Sequence, residues 1–265
     1  MLSNSFSAPA TLRIGQLLAS SFFCILASGC GPSGSGLLVD EEHSFDADDS
    51  IVLANGFEGS IVIGDESSVR STADDNLIDF VHTHYLDGEV LVEFDKNSYR
   101  DATLRAEFTL PRVASIVVED GSSMDARGVE AEDRVELTAR DGSEMSFSLS
   151  GDQVLERLTV VAVDGASLDF EGHSEVANLT LEDGSSVDME GGGTSMDLTM
   201  RDGSSLSAKD YPVEELNCSL SDGASAKVRV SEEAEGSLND GSSLEIWGDG
   251  RSNIDVSDGS SIKHR

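Results

Sequence analysis

The chain has 265 residues, with 17 Lys+Arg against 51 Asp+Glu, a formal net charge of −34, and three cysteines. Such acidity repels phosphate and so excludes a nucleic-acid-binding protein, and three cysteines give no disulfide framework. Acidity alone would permit disorder, but the hydrophobic residues, 38% of the chain, follow a strict pattern described below.

Residues 1–29 hold one charged residue, Arg13, followed by an apolar run from Ile14 to Ala27. A basic start, a short apolar stretch and small residues before a cleavage point predict a secretory signal, and the run is short for a membrane span. Leu26-Ala27-Ser28-Gly29-Cys30 resembles a bacterial lipobox, which implies that Cys30 is lipidated and becomes the new N-terminus. Ordinary signal cleavage and an uncleaved anchor are the alternatives. The Gly31–Gly36 stretch after it reads as a flexible tether. Gly rather than Asp at position 31 points to the outer membrane. Loss of the leader removes Cys24 and leaves 16 Lys+Arg against 51 Asp+Glu, a net charge of −35. Cys218 is then the one unmodified thiol and is expected to be buried.

Residues 37 to about 49 are acidic and patternless, so 30–49 reads as the lipidated cysteine and a flexible linker. The fold is expected to begin near Ile51. In Ser60–Val69 the residues Ile61, Ile63 and Val69, counted from Asp65, have the spacing of a degenerate coil. Leu77–Thr83, a bend at Asp87-Gly88, Val90–Val92 and Ala102–Leu110 read as longer strands, so residues 50–112 are expected to form a β-rich cap. A solenoid needs its open end covered.

From residue 113 to 265 one stretch recurs eight times: Asp-Gly, a small residue, then usually Ser. The aspartates are Asp120, Asp141, Asp164, Asp183, Asp202, Asp222, Asp240 and Asp258, with steps of 21, 23, 19, 19, 20, 18 and 18 residues. A period near twenty is the signature of a solenoid. Residues four and two before each Asp, and four and six after it, make 32 positions, of which all but Gly236 and His264 are apolar. At the odd offsets between them only Val117, Val161 and Val163 are apolar. Strict period two means strand, with one parity inside and the other outside. Twenty residues suit one coil of an all-β parallel β-helix, each coil about 4.8 Å from the next. Asp-Gly marks the corner, where Gly accepts positive φ and Asp can bond its own turn. Phe147 and Phe170 share a slot in consecutive coils and should stack inside. The rest of each coil, Glu190–Gly193 included, reads as variable polar loop.

The order of Phe57 with Ile61-Val62-Ile63, Asp75-Asn76-Leu77-Ile78-Asp79, Asp87-Gly88 with its strand, Leu110-Pro111 and the Gly-Ser/Ala-Ser repeats resembles the head GIN domain family of autotransporter-adhesin-like envelope proteins, over roughly residues 50–262. The resemblance implies a right-handed parallel β-helix and, by analogy, adhesion. It brings no catalytic residues. The Asp before every Gly departs from the family pattern and loads one corner with charge.

The eight-aspartate column is the sharpest candidate site. Carboxylates about 4.8 Å apart repel, and a row of weak Ca²⁺ sites would relieve them; the alternative is that each Asp serves its own turn under solvent screening. The outward Ser row is a candidate surface for a glycan or protein partner, or plain corner chemistry. His82 and His84 share a strand face, and Trp247 has outward parity; both read most simply as surface residues. The rival class is an envelope polysaccharide-active enzyme, a lyase or hydrolase, needing a base and a cationic subsite. Arg140 and Arg201 share a slot but stand three coils apart. No phosphate loop, nucleophile elbow or zinc signature is present. The backbone edge of the coil ending at Arg265 is expected to pair with a partner or second copy. These features predict a non-catalytic, lipid-anchored, adhesin-like module of the envelope.

Overall fold

The computed structural model describes residues 31–45, 50–86, 88–95 and 99–265. The leader, Cys30 and Asp87 lie outside them. The N-terminal part carries strands β1 (Leu38–Ser44), β2 (Ser50–Leu53), β3 (Glu58–Ile63), β4 (Ser68–Asp74), β5 (Val81–Leu86), β6 (Glu89–Phe94) and β7 (Leu104–Leu110), with a short 3₁₀ turn over Ile78–Phe80. The repeats supply β8 (Val113–Val118), β9 (Ser123–Val129), β10 (Ala131–Ala139), β11 (Glu144–Leu149), β12 (Val154–Ala162), β13 (Ser167–Leu181), β14 (Ser186–Met200), β15 (Ser205–Leu220), β16 (Ser225–Leu238), β17 (Ser243–Trp247), β18 (Arg251–Val256) and β19 (Ser261–His264).

Two ladders run along a parallel β-solenoid. Strands entering each corner stack in the order β6, β2, β8, β10, β12, then the second halves of β13 to β16, then β18. Strands leaving each corner stack as β7, β3, β9, β11, then the first halves of β13 to β16, then β17 and β19. The apolar slots meet like to like: Leu168 pairs with Val187, and Leu179 with Leu198. From Ile116 to Ile246 these apolar side chains are buried and form one continuous core. Phe147 and Phe170 stack as expected, with ring centroids 6.0 Å apart and planes 6° from parallel.

Each corner is a tight turn of two left-handed residues. The aspartates have φ between 49° and 55°, the glycines after them between 69° and 78°. Two positive φ values in succession define the type I′ turn, and Asp-Gly is one of its preferred pairs. The amide after the pair closes the turn, as Ser204 N–H does on the Arg201 carbonyl at 3.2 Å. The Gly amide continues the ladder instead: Gly203 N–H donates to the Asp222 carbonyl of the next coil at 2.9 Å, and the same bond recurs at every step from Gly121 to Gly241. The small residue at the next position is buried at seven of the eight corners. Where it is Ser, its hydroxyl staples coils together: Ser143 to the Val118 carbonyl at 2.8 Å, Ser185 to Ala162 at 2.7 Å, Ser204 to Leu181 at 3.0 Å.

The N-terminal part corrects several expectations. The degenerate coil turns at Asn55-Gly56, ten residues before Asp65, with φ of 63° and 81°. Asn55 Nδ2 reaches the Asp120 carboxylate, and the Gly56 and Phe57 amides donate to Ser122 Oγ. Ile61 and Val69 are buried, whereas Ile63 is 36% exposed, because it runs past the end of the inward series set by Asn55. Strands β6 and β7 are a coil in their own right, and the later β8–β9 coil stacks on the far side of β2–β3. The cover is antiparallel: β5 lies on β6, β4 on β7, and β1 on β4.

Residues 38–44 are therefore a strand rather than linker. Their side chains are exposed throughout, so no alternation marked them. The tether is held as well: the buried Asp74 carboxylate accepts from the Gly36 amide at 2.6 Å and the Thr103 amide at 2.8 Å. Those donors, Thr103 first, hold its pKa below the ordinary carboxylate value against the opposing effect of burial.

Glu190–Gly193 lies inside β14, paired with Glu171–Ser174. A Cβ at Gly191 would stand 1.7 Å from the Gly172 carbonyl oxygen, and one at Gly236 would stand 1.8 Å from that of Cys218. Close backbone approach thus explains both the glycine run and the Gly236 exception. Tyr211, from a bulge in β15, fills the interior beside Phe170 and bonds Ser174 Oγ at 2.7 Å. Cys218 is buried, and loss of solvent pushes its thiol up to about 12, so it stays protonated and inert.

A methyl group at Gly203 would meet nothing within 4 Å, so only the backbone opposes Gly203→Ala. The substitution should cost about 1 kcal/mol, read from urea melts, whereas Asp202→Asn, which keeps a residue tolerant of positive φ, should leave stability unchanged or slightly raised at low salt. Equal losses from both would show that the corner does not depend on left-handed backbone.

Candidate functional site

Outward side chains of the ladder leaving the corners form columns, one residue per coil. Five residues after each Asp the column reads Asp125, Ser146, Asp169, Asp188, Ser207, Lys227, Glu245, Lys263. Strands β9, β11, β13, β14 and β15 enclose there a groove of about 620 Å³, lined by Arg127, Ser146, Asp169, Glu171, Asp188, Glu190 and Lys209 among others. Behind it lie Phe147, Phe170 and Met189, whose side chains are buried in the core. Arg127 closes one end, donating to Ser146 Oγ at 3.2 Å and lying 3.6 Å from Asp125.

The groove is electrostatically loaded. The Asp169 carboxyl is pushed above its ordinary value, first by partial loss of solvent, then by repulsion from Asp188 and Glu144, with Arg127 opposing. Asp169 and Asp188 are register partners on adjacent strands. The site can hold a cationic or hydroxyl-rich group. Sequence reasoning missed it because attention fell on the corner aspartates; reading the outward columns down the ladder finds it.

All eight corner aspartates are exposed. They stand in register, one carboxylate per coil, and among the described residues no three or more His, Cys, Asp or Glu are grouped to hold a metal ion. Asn55, at the corner of the neighbouring coil, donates along the column to Asp120, and Ser257 donates to its neighbour Asp258. The outward Ser row bonds along itself, Ser186 to Ser167 at 3.3 Å and Ser243 to Ser225 at 3.0 Å. Arg140 and Arg201 each pair with a glutamate of the preceding coil, Glu119 and Glu182. His82 and His84 sit side by side, 3.7 Å from Asp95 and 3.2 Å from Glu93. Trp247 lies half-buried beneath the Arg265 guanidinium, 5.9 Å from the ring centre.

A carboxyl raised in the fold binds its proton more tightly there than in the unfolded chain. Asp169 therefore costs stability as pH rises from its unfolded value through its folded one, and the cost persists at neutral pH. Asp169→Asn should stabilise the fold at pH 7 by a few tenths of a kcal/mol, the effect being limited by solvent screening, and should do so less below the ordinary carboxylate range. A variant less stable than the parent at pH 7 would contradict the repulsion.

Among solved structures the fold is shared by proteins described as a "putative adhesin" from Parabacteroides merdae (TM-score 0.77, 13% identity, 88% of this chain and 98% of that one) and a "putative lipid binding protein" from Parabacteroides distasonis (0.76, 12%, 89% and 100%). A "putative adhesin" from Bacteroides fragilis also shares it (0.63, 12%, 89% and 100%). No curated protein matches the chain. The family model described as "Putative auto-transporter adhesin, head GIN domain" matches residues 49–250. With that match covering most of the chain, from β2 to the seventh repeat, the chain belongs to the head GIN domain family.

Proposed function

We propose that this is a lipid-anchored protein of the bacterial envelope, held through Cys30, whose solenoid is a non-catalytic binding and structural module. The observation that carries this proposal is the outer surface itself. Two ladders present outward side chains in columns at strand spacing, coil after coil, and the groove on one of them is lined by carboxylates and hydroxyls with Arg127 and Lys209. Such a surface suits an extended, repetitive partner, with many weak contacts in register. The family's adhesin description and the adhesin-like neighbours support an envelope or surface location.

The lipobox gives the anchor its chemistry, a thiol at the cleavage point followed by a small-residue segment. Gly31 favours the outer membrane. The bound partner is a glycan or protein of the surface, gripped along the groove and the Ser row. The corner aspartates contribute charge, screened by ambient cations or by weak Ca²⁺ along the column.

Expression of the full chain in a bacterium with labelled palmitate tests the anchor. The chain should carry label and sediment with membranes, and Cys30→Ala should abolish both. An array of envelope glycans probed with the form beginning at Gly31, with and without calcium, tests binding. Retention of particular glycans, weakened by Asp188→Lys in the groove, is expected. Cleavage of an acidic polysaccharide by the same preparation would overturn the non-catalytic assignment.

A further inference from the structure

The ladder that leaves the corners is divided by charge. Over β11, β13 and β14 its outward residues include Glu144, Asp169, Glu171, Asp188 and Glu190, all exposed. Over β16 to β19 and the residue that follows they include Lys227, Arg229, Lys263 and Arg265, also exposed. Glu245 is the one acid among the latter, and it is taken up by Arg265. Between the two zones β15 presents Ser205 and Ser207, with Lys209 beside Asp210 at 3.1 Å. A chain with three times as many acids as bases thus gathers four of its bases on one end of the very face whose other end carries its groove.

We propose that this face pairs with the same face of a second copy, the two solenoids running in opposite directions. Symmetry decides the direction. A two-fold axis along the solenoid would set acid on acid and base on base. An axis parallel to the strands reverses the order of the coils but keeps each column in place. In the register centred between β14 and β15, Asp169 meets Lys227 of the second copy and Glu171 meets Arg229, while the bulge in β15 sets Glu190 opposite the Lys209–Asp210 pair. Each contact occurs twice. Both faces are built on the same strand spacing, so the Asp169–Lys227 and Glu171–Arg229 contacts form without any backbone change, and two sheets packed face to face sit about 10 Å apart, a gap these side chains span together.

The patch measures roughly 30 Å along the solenoid and 17 Å along the strands, or about 1,000 Å² for both copies together, the low end for specific association. The pair is therefore weak and concentration-dependent. The net charge of each copy opposes it at long range. At physiological salt the screening length is about 8 Å, which mutes the remote charges and spares the contacts. Opposed solenoids put the two N-terminal caps at opposite ends. If the anchor proposed above holds, this geometry joins copies on facing surfaces; the pairing itself does not depend on the anchor.

Sedimentation of the form beginning at Gly31, at physiological salt and rising concentration, should show growth towards twice the monomer mass. The pair Lys227→Glu and Arg229→Glu should abolish it, as should Asp169→Lys and Glu171→Lys, each variant keeping the parent's circular dichroism. Mixed together, the two variants should associate again, since at positions 169, 171, 227 and 229 one now carries only acid and the other only base. Beads bearing the parent through its N-terminus should clump, and beads bearing either variant alone should not. A parent that stays monomeric at every concentration, or association that survives both reversals as pairing of exposed strand edges would, overturns the proposal. Glycan binding or palmitoylation persisting in a monomeric parent would show that the pairing had failed while the anchored binding module stood.

Discussion

Each of the eight repeat corners turns on two consecutive left-handed residues whose amide and carbonyl groups reach across to neighbouring coils. Without positive φ at Asp and Gly, the Gly amide could not point along the solenoid to the next Asp carbonyl, and the ladder would be cut at each corner, leaving buried polar groups without partners. The core slots depend on the same bond. A corner held in register fixes the parity of both flanking strands, and a slip of one residue would turn every Leu and Val outward. Corner, staple and core are one device repeated: the inward Ser or Ala fits because the turn is tight, and the Ser hydroxyl then ties its coil to the one before.

The device has an electrostatic consequence. Stacking like on like puts identical charges in columns, and a chain this acidic must manage them. Three means are visible. Glu and Arg alternate in the column before the corner, at Glu119–Arg140 and Glu182–Arg201. Serines separate acids in other columns. Bases collect at one end of the groove-bearing face. Where Asp169 and Asp188 fall together beside Glu144, burial and repulsion push the Asp169 carboxyl above its ordinary value, and that place is the groove.

How much of this was legible beforehand follows from what each segment buries. The repeats bury one parity completely, so Leu168, Leu179 and the Phe147–Phe170 stack could be read from spacing alone. Strand β1 buries nothing; it is an edge addition on β4, and its sequence has no alternation to show. The Asn55-Gly56 corner carries the same backbone logic as Asp-Gly, but with Phe57 in the small-residue slot and Ser122 reaching up to it, so the motif was disguised. The threading of β2–β3 between two later coils is a long-range pairing that no local pattern encodes. Tyr211 was hidden for a related reason: it enters from a bulge, off the period, into space left by Gly193 and Ala208. The groove was half legible. Its columns are in the sequence, but the partial burial of Asp169 comes from the strands stacked around it.

The central claim is that the corner glycine amides bond between coils rather than within them. Through-hydrogen-bond scalar couplings in isotope-labelled protein measure this directly. The account predicts a cross-peak from the Gly203 amide nitrogen to the Asp222 carbonyl carbon, and the same one-coil step from Gly184 to Asp202. Couplings from these glycines to carbonyls of their own coil, or amides that exchange with solvent as fast as an open loop, would contradict it.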